Sequence, residues 1–386
     1  ELLAGHVRNG EEMPEGYRFP PMATLIEEYL RRGHRVSVFT LDPTTERLRT
    51  FEGDQLTIHV GRYRPRARYR ATDFFAAERA DLVEALRADP CDIVHAHWTY
   101  EFALAAIASG TPYLVTAHDA PLHILRLYRN AYRFLRTLMA VRVSRRARFM
   151  TAVSPYVARH FEKLLGHRGT VTVVPNGLSE ELFALGEGRE QRSGGEPPVF
   201  ATVLTGWGRL KNGSAALEAF GKVRATLPGA RLLMFGYGHG AGEEAEAWAR
   251  QRGLEGGVEF VGTLPHPELM RRLSLEADVL VHPALEEAHP VGVSEAMALG
   301  LPVIGGERSG GVPFTLDHGE AGVLVDVRSA EDLSRCMLRL AGDAAARVEL
   351  GAAARESARR RFHVERVVDA YEETFGKVLA AFGAGR

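Results

Sequence analysis

The sequence contains little cysteine and no long apolar run. Only two of its 386 residues are cysteine, Cys91 and Cys336, and they lie far apart without paired spacing. This usage suits a reducing cytoplasm and argues against a disulfide framework or a thiolate zinc site. No stretch approaches the roughly 20 apolar residues that span a bilayer. The opening ELLAGHV lacks the features of a signal peptide. We therefore expect a cytoplasmic protein.

Charge is nearly balanced overall but is divided unequally along the chain. The formal net charge is −1, with 45% hydrophobic and 25% charged residues, as in ordinary globular proteins. Residues 1–178 carry a net charge of +6 and the remainder a net charge of −7. Such asymmetry indicates either that the first half meets an anionic partner or that surface composition has drifted.

Strand and helix patterns alternate in both halves, which predicts parallel sheets covered on both faces. The first predicted strand is Leu2–Val7, and a single helical stretch is predicted over 122–147. The segment LGEGREQRSGGEPP, residues 185–198, has the composition of a linker. We predict two Rossmann-like domains with a ligand cleft between them. Their predicted bounds are 1–180 with the helix of about 364–386, a linker at 181–198, and 199–363.

The most informative stretch is EADVLVHPALEEAHPVGVSEAMALGLPVIGGERSGGVP, residues 276–313. A strand is predicted to end at His282, and a helix to begin near Val291 or Gly292. Glu287 lies in the loop between them and Glu295 in the first helical turn. One carboxylate can hold a sugar hydroxyl and the other a ribose diol, and a helix N-terminus suits phosphate. Alternatively, Glu295 only complements the helix dipole.

At these residues the sequence resembles the retaining glycosyltransferases of family 4, which have the GT-B fold. The family signature, two glutamates separated by seven residues, is matched here by EAHPVGVSEAMALGLPV. The resemblance extends over nearly the whole chain through DIVHAHW (92–98), TPYLVTAHD (111–119), VTVVPNGL (171–178), LKNGSAALEAF (210–220) and VEFVGTLPH (258–266).

The resemblance implies roles for individual residues. Glu295 matches the glutamate that holds the ribose hydroxyls, and Glu287 the one that faces the donor sugar. Lys211 matches the lysine that neutralises the diphosphate, and His118 the histidine near the reacting sugar. The remaining donor-side residues are the Val261–Gly262 backbone, near the base, and Gly292 at the helix start.

The resemblance also implies transfer of a hexose-type sugar with retention and without a metal or cofactor. No Asp-x-Asp occurs in the chain, which fits neutralisation of the diphosphate by Lys211, helix N-termini and backbone amides. His95 and His97 form an H-x-H at a strand end. A metal site needs a third ligand that the sequence does not place nearby, so lining the cleft or closing the strand is the favoured role.

The sequence departs from the family pattern at several positions. The family often has an arginine where Gly206 stands, and Arg209 is the candidate substitute. Pro290 follows the first glutamate and has no N–H to donate. The paired glycines of the first loop are here separated as Gly10 and Gly16. The departures at Gly206 and Pro290 leave open a non-catalytic subunit that binds nucleotide sugars. A nucleotide-sugar epimerase also stays open, because such enzymes share the fold.

The acceptor side is predicted in the first half, where we place Gly16, His97, Arg64 and Arg66. Arginines alternate in GRYRPRARYR, residues 61–70, and would all point one way if the segment were extended. The helical stretch 122–147 adds arginines interleaved with apolar residues. These features suit a peripheral contact with an anionic membrane or a lipid-linked sugar. Alternatively, they form a solvated loop or an arginine pocket for a soluble anionic acceptor. The acceptor is therefore a glycan, a lipid-linked sugar or a small molecule, and no nucleic-acid partner is expected.

Overall fold

The computed structural model describes residues 3–14, 16, 19–189 and 197–384. The chain forms two compact units. Unit 1 comprises Glu1–Gly177 and Val364–Arg386, and unit 2 comprises Leu178–His363. The two ends of unit 2 meet, since the amide of Leu178 donates to the carbonyl of Phe362 at 2.8 Å.

Unit 1 contains two β-sheets. In the first, β1 (Val36–Asp42) is parallel to β3 (Leu56–Arg62), and β3 also pairs antiparallel with β2 (Arg49–Glu52). The second sheet is parallel, in the order β4-β5-β6-β7. Its strands are β4 (Val94–His97), β5 (Tyr113–Ala117), β6 (Met150–Ala152) and β7 (Val171–Val173). Every residue of β5 is buried, as is typical of a parallel strand covered on both faces.

The helices of unit 1 begin at recognisable sequence signals. Proline stands in the first turn of three of them, and Ser154 accepts a hydrogen bond from the amide of Val157 as an N-cap. The helices are α1 (Pro20–Arg31), α2 (Ala67–Thr72), α3 (Ala76–Ala88), α4 (Glu101–Ser109), α5 (Pro121–Tyr128), α6 (Ala131–Arg146), α7 (Pro155–Leu164) and, after unit 2, α16 (Val364–Gly383). Short 3-10 helices cover Ala4–His6 and Gly10–Glu12.

Helix α16 belongs to the core of unit 1. Val368 and Tyr371 pack in one buried cluster with Leu25 of α1 and Leu114 of β5. These positions are the apolar face of an amphipathic helix, because they recur at helical spacing. The last helix of the chain therefore completes the unit in which the chain begins.

Unit 2 is built on one six-stranded parallel sheet in the order β10-β9-β8-β11-β12-β13. Numbered within the unit, this is the 3-2-1-4-5-6 order of the doubly wound fold. The strands are β8 (Val199–Val203), β9 (Arg231–Phe235), β10 (Val258–Gly262), β11 (Val279–His282), β12 (Val303–Gly306) and β13 (Val323–Val325).

Helices cover both faces of this sheet. Along β8 the side chains alternate, with Val199 and Ala201 in one buried cluster and Phe200 in the other. The helices are α8 (Glu180–Glu187), α9 (Gly213–Thr226), α10 (Glu244–Arg250), α11 (His266–Glu276), α12 (Val291–Ala298), α13 (Val312–Thr315), α14 (Ala330–Gly342) and α15 (Ala344–Phe362), with a 3-10 turn at Asp317–Gly319.

The structure differs from the sequence prediction at several elements. The predicted strand at Leu2–Val7 is wrong where it is described, because Ala4–His6 is a 3-10 helix. The predicted helix over 122–147 is interrupted, since Arg129 adopts a left-handed conformation at φ 36°. Part of the predicted linker forms α8, and residues 190–196 of it lie outside the described residues. The short edge strand β2 was not predicted.

Candidate active site

The topology of unit 2 explains where Lys211 and Glu287 lie. Strands β8 and β11 are neighbours in the sheet although they are far apart in sequence. The carboxyl ends of such a pair form the switch point at which open α/β sheets bind ligands. Lys211 follows β8 and Glu287 follows β11. The two side chains meet there, with Lys211 Nζ 2.7 Å from Glu287 Oε1.

The Glu287 carboxylate remains ionised in this setting. Burial raises its pKa, but the opposing effects of Lys211 and His282 are larger and bring the pKa of Glu287 to about 2. His282 Nε2 lies 3.5 Å from Glu287 Oε1. Lys211 Nζ has three N–H donors, of which one faces Glu287. The carboxylate thus holds a cation in place while leaving it donors for an anionic ligand.

Backbone contacts fix the loops that carry this pair. The Asn212 side-chain amide donates to the carbonyls of Pro283 and Val327 at 3.0 and 2.9 Å. The carbonyl of Glu287 accepts from the amide of Gly311 at 2.7 Å. The glycine-rich turn after β12 therefore lies beside the loop of Glu287.

Glu295 has a different cationic partner. It is buried in the second turn of α12, so the predicted position in the first turn is wrong. Its Oε1 lies 2.7 Å from His266 Nε2 at the start of α11. The hydrogen bond to Glu295 raises the pKa of His266, since it outweighs the opposing effect of burial. Each predicted donor-side carboxylate is thus paired with its own basic side chain.

The N-terminus of α12 lies between the two glutamates in sequence. Pro290 is its N-cap residue, and its carbonyl accepts from the amides of Val293 and Ser294 at 3.1 Å each. Val291 and Gly292 are the first two helical residues, whose amides have no acceptor within a helix. The predicted helix start is confirmed, and the missing N–H of Pro290 falls just outside the helix.

Val261 and Gly262 end strand β10 and contact a glycine-rich loop. The carbonyl of Gly262 accepts from the amide of Gly236 at 2.8 Å, and Val261 forms a bridge with Gly240. Gly262 has φ +78°, and a Cβ at that position would lie 2.8 Å from the Cα of Gly240. This close backbone approach is possible only with glycine.

Gly206 occupies a tight turn where the family pattern often has arginine. Its φ is +91°, and its amide donates to the carbonyl of Tyr237 at 2.8 Å. Arg209 is exposed and lies in the turn in which the amide of Lys211 donates to the carbonyl of Gly208 at 3.0 Å. Arg209 therefore lies close to Lys211 along the chain, and its role as a substitute stays a prediction.

In unit 1, His118 and His97 lie together at the carboxyl ends of β5 and β4. His97 Nδ1 is 2.8 Å from His118 Nε2, and the His118 ring packs edge-on against Phe19 and beside Trp98. Burial lowers the pKa of His97 to about 3. A neutral His97 can either donate to His118 or accept from it, depending on the tautomer.

Asp119, next to His118, is linked through Tyr100 to a half-buried arginine. Tyr100 Oη donates to Asp119 Oδ2 at 2.6 Å, and the Arg136 guanidinium lies 3.5 Å from the Tyr100 ring centroid. Arg136 also forms an ion pair with Glu101. Burial raises the pKa of Asp119. This network fixes the backbone on which His118 is mounted.

Gly16 is held against the end of β1. Its amide donates to Asp42 Oδ2 at 3.0 Å, and its φ is +66°. The hydroxyl and amide of Thr44 also bond to Asp42. Burial alone would raise the pKa of Asp42, but these hydrogen bonds lower it.

The prediction of an extended arginine row over residues 61–70 is wrong. Strand β3 ends at Arg62, and α2 begins at Ala67. Arg64 is engaged internally, at 2.7 Å from Glu78 and 2.8 Å from Asp73. Arg66 is exposed as the N-cap residue of α2. The five guanidiniums do not share one face, because helical rotation and ion pairing have replaced strand alternation.

Within residues 3–14, 16, 19–189 and 197–384, no group of three or more His, Cys, Asp or Glu side chains is arranged so that it could hold a metal ion. His95, the first histidine of the H-x-H pair, instead bonds to the hydroxyl of Thr116 at 2.7 Å.

The sequence pattern did not indicate that His282 or His266 belongs to the site. His282 is the last residue of a buried strand, five positions before Glu287, and that position was a usable signal. His266 is separated from Glu295 by α11, β11 and a loop, so only the fold reveals their contact.

Two family models match the chain. The model for glycosyl transferases group 1 matches residues 191–357, and the model for Glycosyltransferase Family 4 matches residues 22–182. Together they match most of both units.

Individual relatives and structures agree with these matches. A D-inositol 3-phosphate glycosyltransferase of Corynebacterium kroppenstedtii is 31% identical over 222 residues, 54% of this chain and 49% of that protein. A GDP-mannose-dependent alpha-(1-6)-phosphatidylinositol monomannoside mannosyltransferase of Mycobacterium tuberculosis is 30% identical over 219 residues, 54% and 56% of the two chains. The chain thus spans about half the length of these relatives. Sucrose-phosphate synthase of Thermosynechococcus elongatus has the same fold, with a TM-score of 0.77 over 93% of each chain at 21% identity.

Proposed function

The chain belongs to the group 1 and family 4 glycosyltransferases, and from this we propose that it moves a hexose-type sugar from a nucleoside-diphosphate sugar to an acceptor hydroxyl. We further propose that transfer occurs with retention and without a metal. The observation that carries the proposal is the Lys211–Glu287 pair at the switch point of unit 2. It supplies a fixed cation for a diphosphate and a carboxylate for a sugar hydroxyl at one position.

Lys211 is proposed to stabilise the departing diphosphate. That group gains negative charge as the sugar bond breaks, so a preorganised cation lowers the barrier. Glu287 would bond to a hydroxyl of the donor sugar, Glu295 to the ribose diol, and the amides of Val291 and Gly292 to phosphate. The Val261–Gly262 backbone would lie beside the base.

His118 is proposed to act near the reacting sugar. The neutral His97 beside it keeps the pair from carrying two positive charges, because burial disfavours protonation of His97. His118 can then donate or accept a hydrogen bond with a sugar hydroxyl. Gly16 and His97 remain proposed acceptor-side residues.

The acceptor is proposed to be a glycan, a lipid-linked sugar or a small molecule. The relative from Mycobacterium tuberculosis is named for GDP-mannose and for phosphatidylinositol monomannoside, which supports a nucleotide-sugar donor and includes lipid-linked acceptors. We propose peripheral membrane contact through unit 1. Among the described residues, no helix is both long and apolar enough to cross a bilayer.

A panel of nucleotide sugars tests the proposal. A donor present at 100 times its dissociation constant should stabilise the protein by about 2.7 kcal/mol, seen as a rise in Tm. Product analysis then separates the candidates. Transfer to an added acceptor supports the proposed function, epimerised donor indicates an epimerase, and binding without hydrolysis or transfer indicates a binding subunit.

The cation is tested by Lys211→Ala compared with Arg209→Ala. Loss of one preorganised electrostatic contact in an active site costs about a hundredfold in kcat, and we expect this for Lys211. Arg209→Ala should reduce kcat less, because Arg209 is exposed, whereas Lys211 is held in place by Glu287. A larger loss in the Arg209 variant would show that Arg209 carries the diphosphate charge.

A further inference from the structure

One segment of unit 1 carries positive charge without any acidic residue. No Asp or Glu occurs between Asp119 and Glu162, whereas nine arginines do. This segment contains the helices α5 and α6. A segment that carries only positive charges attracts anionic surfaces, and the negative charges that neutralise it must come from outside the segment.

The exposed face of α6 combines this charge with apolar side chains. Phe134 is 55% exposed and Leu138 is 41% exposed, and Arg142 and Arg145 are exposed further along the helix. The spacings of four, four and three residues place these four side chains on one helix face. Tyr128, at the end of α5, is also exposed.

The opposite face of α6 packs into unit 1. Met139, Ala140 and Val143 are fully buried. Arg136 points to this side, where it stacks on Tyr100 and pairs with Glu101. Arg136 is therefore a structural cation, and the outward arginines are a separate set.

The turn between the helices adds two further exposed cations. Arg126 and Arg129 are both exposed. Arg129 ends α5 in a left-handed conformation, and Asn130 caps α6 by accepting from the amide of Arg133 at 2.8 Å. A fixed turn thus places the exposed residues of α5 next to those at the start of α6.

We propose that the outer face of α5 and α6 is a docking surface for an anionic lipid bilayer. We define this surface by Arg126, Tyr128, Phe134, Leu138, Arg142 and Arg145. Amphipathic helices with basic residues beside aromatic and aliphatic ones lie in the bilayer interface, with their apolar side chains in the headgroup region and their cations at the lipid phosphates. This inference rests on the proposed membrane contact of unit 1, and it states which surface of unit 1 makes that contact.

The apolar members of the surface favour a bilayer over a soluble polyanion. Phe134 and Leu138 would remain exposed to water in a purely electrostatic complex, whereas insertion into the headgroup region buries them. Arg66 and Arg68 belong to the arginine segment singled out in the sequence, which lies on α2 and its N-cap rather than on this surface. The two locations make different predictions.

Vesicle sedimentation of the full chain, without donor or acceptor, tests the proposal. Wild-type protein should bind vesicles of phosphatidylglycerol and phosphatidylcholine, more strongly as phosphatidylglycerol increases and more weakly as salt increases. Each arginine near such a surface strengthens binding roughly fivefold, so Arg142→Gln with Arg145→Gln should weaken it about thirtyfold. Phe134→Ser with Leu138→Ser should weaken it at least tenfold at low salt.

The matched charge control is Arg66→Gln with Arg68→Gln, which removes two exposed guanidiniums elsewhere in unit 1. Leu164→Ser is the apolar control, since Leu164 is 48% exposed on α7. Both controls should bind as the wild type does. All variants should keep the wild-type Tm, since their altered side chains are exposed.

Three results would overturn the proposal. They are an absence of binding by wild-type protein at low salt, an equal loss in the Arg66/Arg68 control, and retention of binding by the Phe134/Leu138 variant, which would indicate a soluble polyanion. Transfer to a soluble acceptor is measured separately. Vesicle binding can therefore fail while the transferase function stands, and the reverse also holds.

Discussion

Glu287 and Glu295 share a carboxylate but differ in the cation that each one holds. Glu287 contacts Lys211, and Glu295 contacts His266. Removing a carboxylate therefore also releases its cation. For Glu287 the released cation is the one proposed to bind the diphosphate. Lys211 keeps its charge in the Glu287 variant and stays available to a diphosphate, so the affinity for the free nucleotide should change little.

We predict that Glu295→Ala weakens binding of the free nucleoside diphosphate by about tenfold or more, because it removes hydrogen bonds between a charged group and the ribose, worth about 1.5–3 kcal/mol each. Glu287→Ala should leave that affinity nearly unchanged and instead depress transfer. Calorimetry with the diphosphate alone separates the two. Equal losses of affinity in both variants would contradict the assigned roles.

The His266–Glu295 pair predicts a pH-dependent contribution to stability. The pKa of His266 lies above its ordinary value of 6.5 in the folded protein. The pair therefore stabilises the fold fully below that ordinary value, and the contribution is lost as pH rises through the raised pKa. The difference in Tm between wild type and His266→Gln should be largest near pH 5.5 and should vanish at high pH. A difference independent of pH would show that the imidazole acts only by packing.

The sequence predicted the acidic residues of the site better than their partners. The spacing of Glu287 and Glu295 in one motif pointed to both, and Lys211 came from the resemblance of its own segment. The contact of His266 with Glu295, and that of His282 with Glu287, depend on which strands are neighbours. Sheet order is a property of the folded unit, so no local pattern carried these contacts.

At the scale of elements, the glycine-rich loop after β9 is fixed by backbone packing. Gly236 has φ +107°, and a Cβ there would lie 1.9 Å from the carbonyl oxygen of Leu204. Gly242 also has a positive φ, +79°, but a Cβ there would meet nothing within 4 Å. Comparing Gly236 with Gly242 therefore separates the free-energy cost of a positive φ from the cost of a steric clash with the backbone.

We predict that Gly242→Ala destabilises the protein by about 1 kcal/mol through backbone strain alone. Gly236→Ala should cost at least about 2 kcal/mol more, because main-chain atoms must shift as well. Chemical denaturation measures both free energies of unfolding. Donor affinity should fall only in the Gly236 variant, whose amide bonds to Gly262. Equal destabilisation in the two variants would exclude the collision with Leu204.

Strands buried on both faces were predicted closely, because continuous apolar runs bounded by turns mark them. The strand predicted to end at His282 does end there, and all four residues of β11 are buried. The errors lie where tertiary contacts decide. Ion pairs hold Arg64 inward beside α2. A left-handed Arg129 divides α5 from α6, and the N-cap residue Asn130 that follows it was a sequence signal that the prediction missed. The alternating arginines suggested a strand because the sequence alone does not show their acidic partners.

At the scale of the whole molecule, charge compensation for the donor is proposed to come from the chain itself. We predict that transfer activity persists after treatment with EDTA, because Lys211 and the amides at the start of α12 replace a divalent cation. Activity is compared with and without chelator. A loss with EDTA that magnesium restores would show that a metal supplies this charge.

The meeting of the two ends of unit 2 has a consequence for how such a protein can be altered. Leu178 and Phe362 are joined by one backbone hydrogen bond, and α16 then completes the core of unit 1. Unit 2 is therefore an insertion whose ends lie side by side, the arrangement in which a host domain tolerates an inserted one. The entropy cost of closing the host chain across this point depends on the distance between the ends and only weakly on the length of what lies between them. A homologous module with the same end spacing could be exchanged here by recombination, so that the donor site proposed for unit 2 and the acceptor site proposed for unit 1 would be inherited separately.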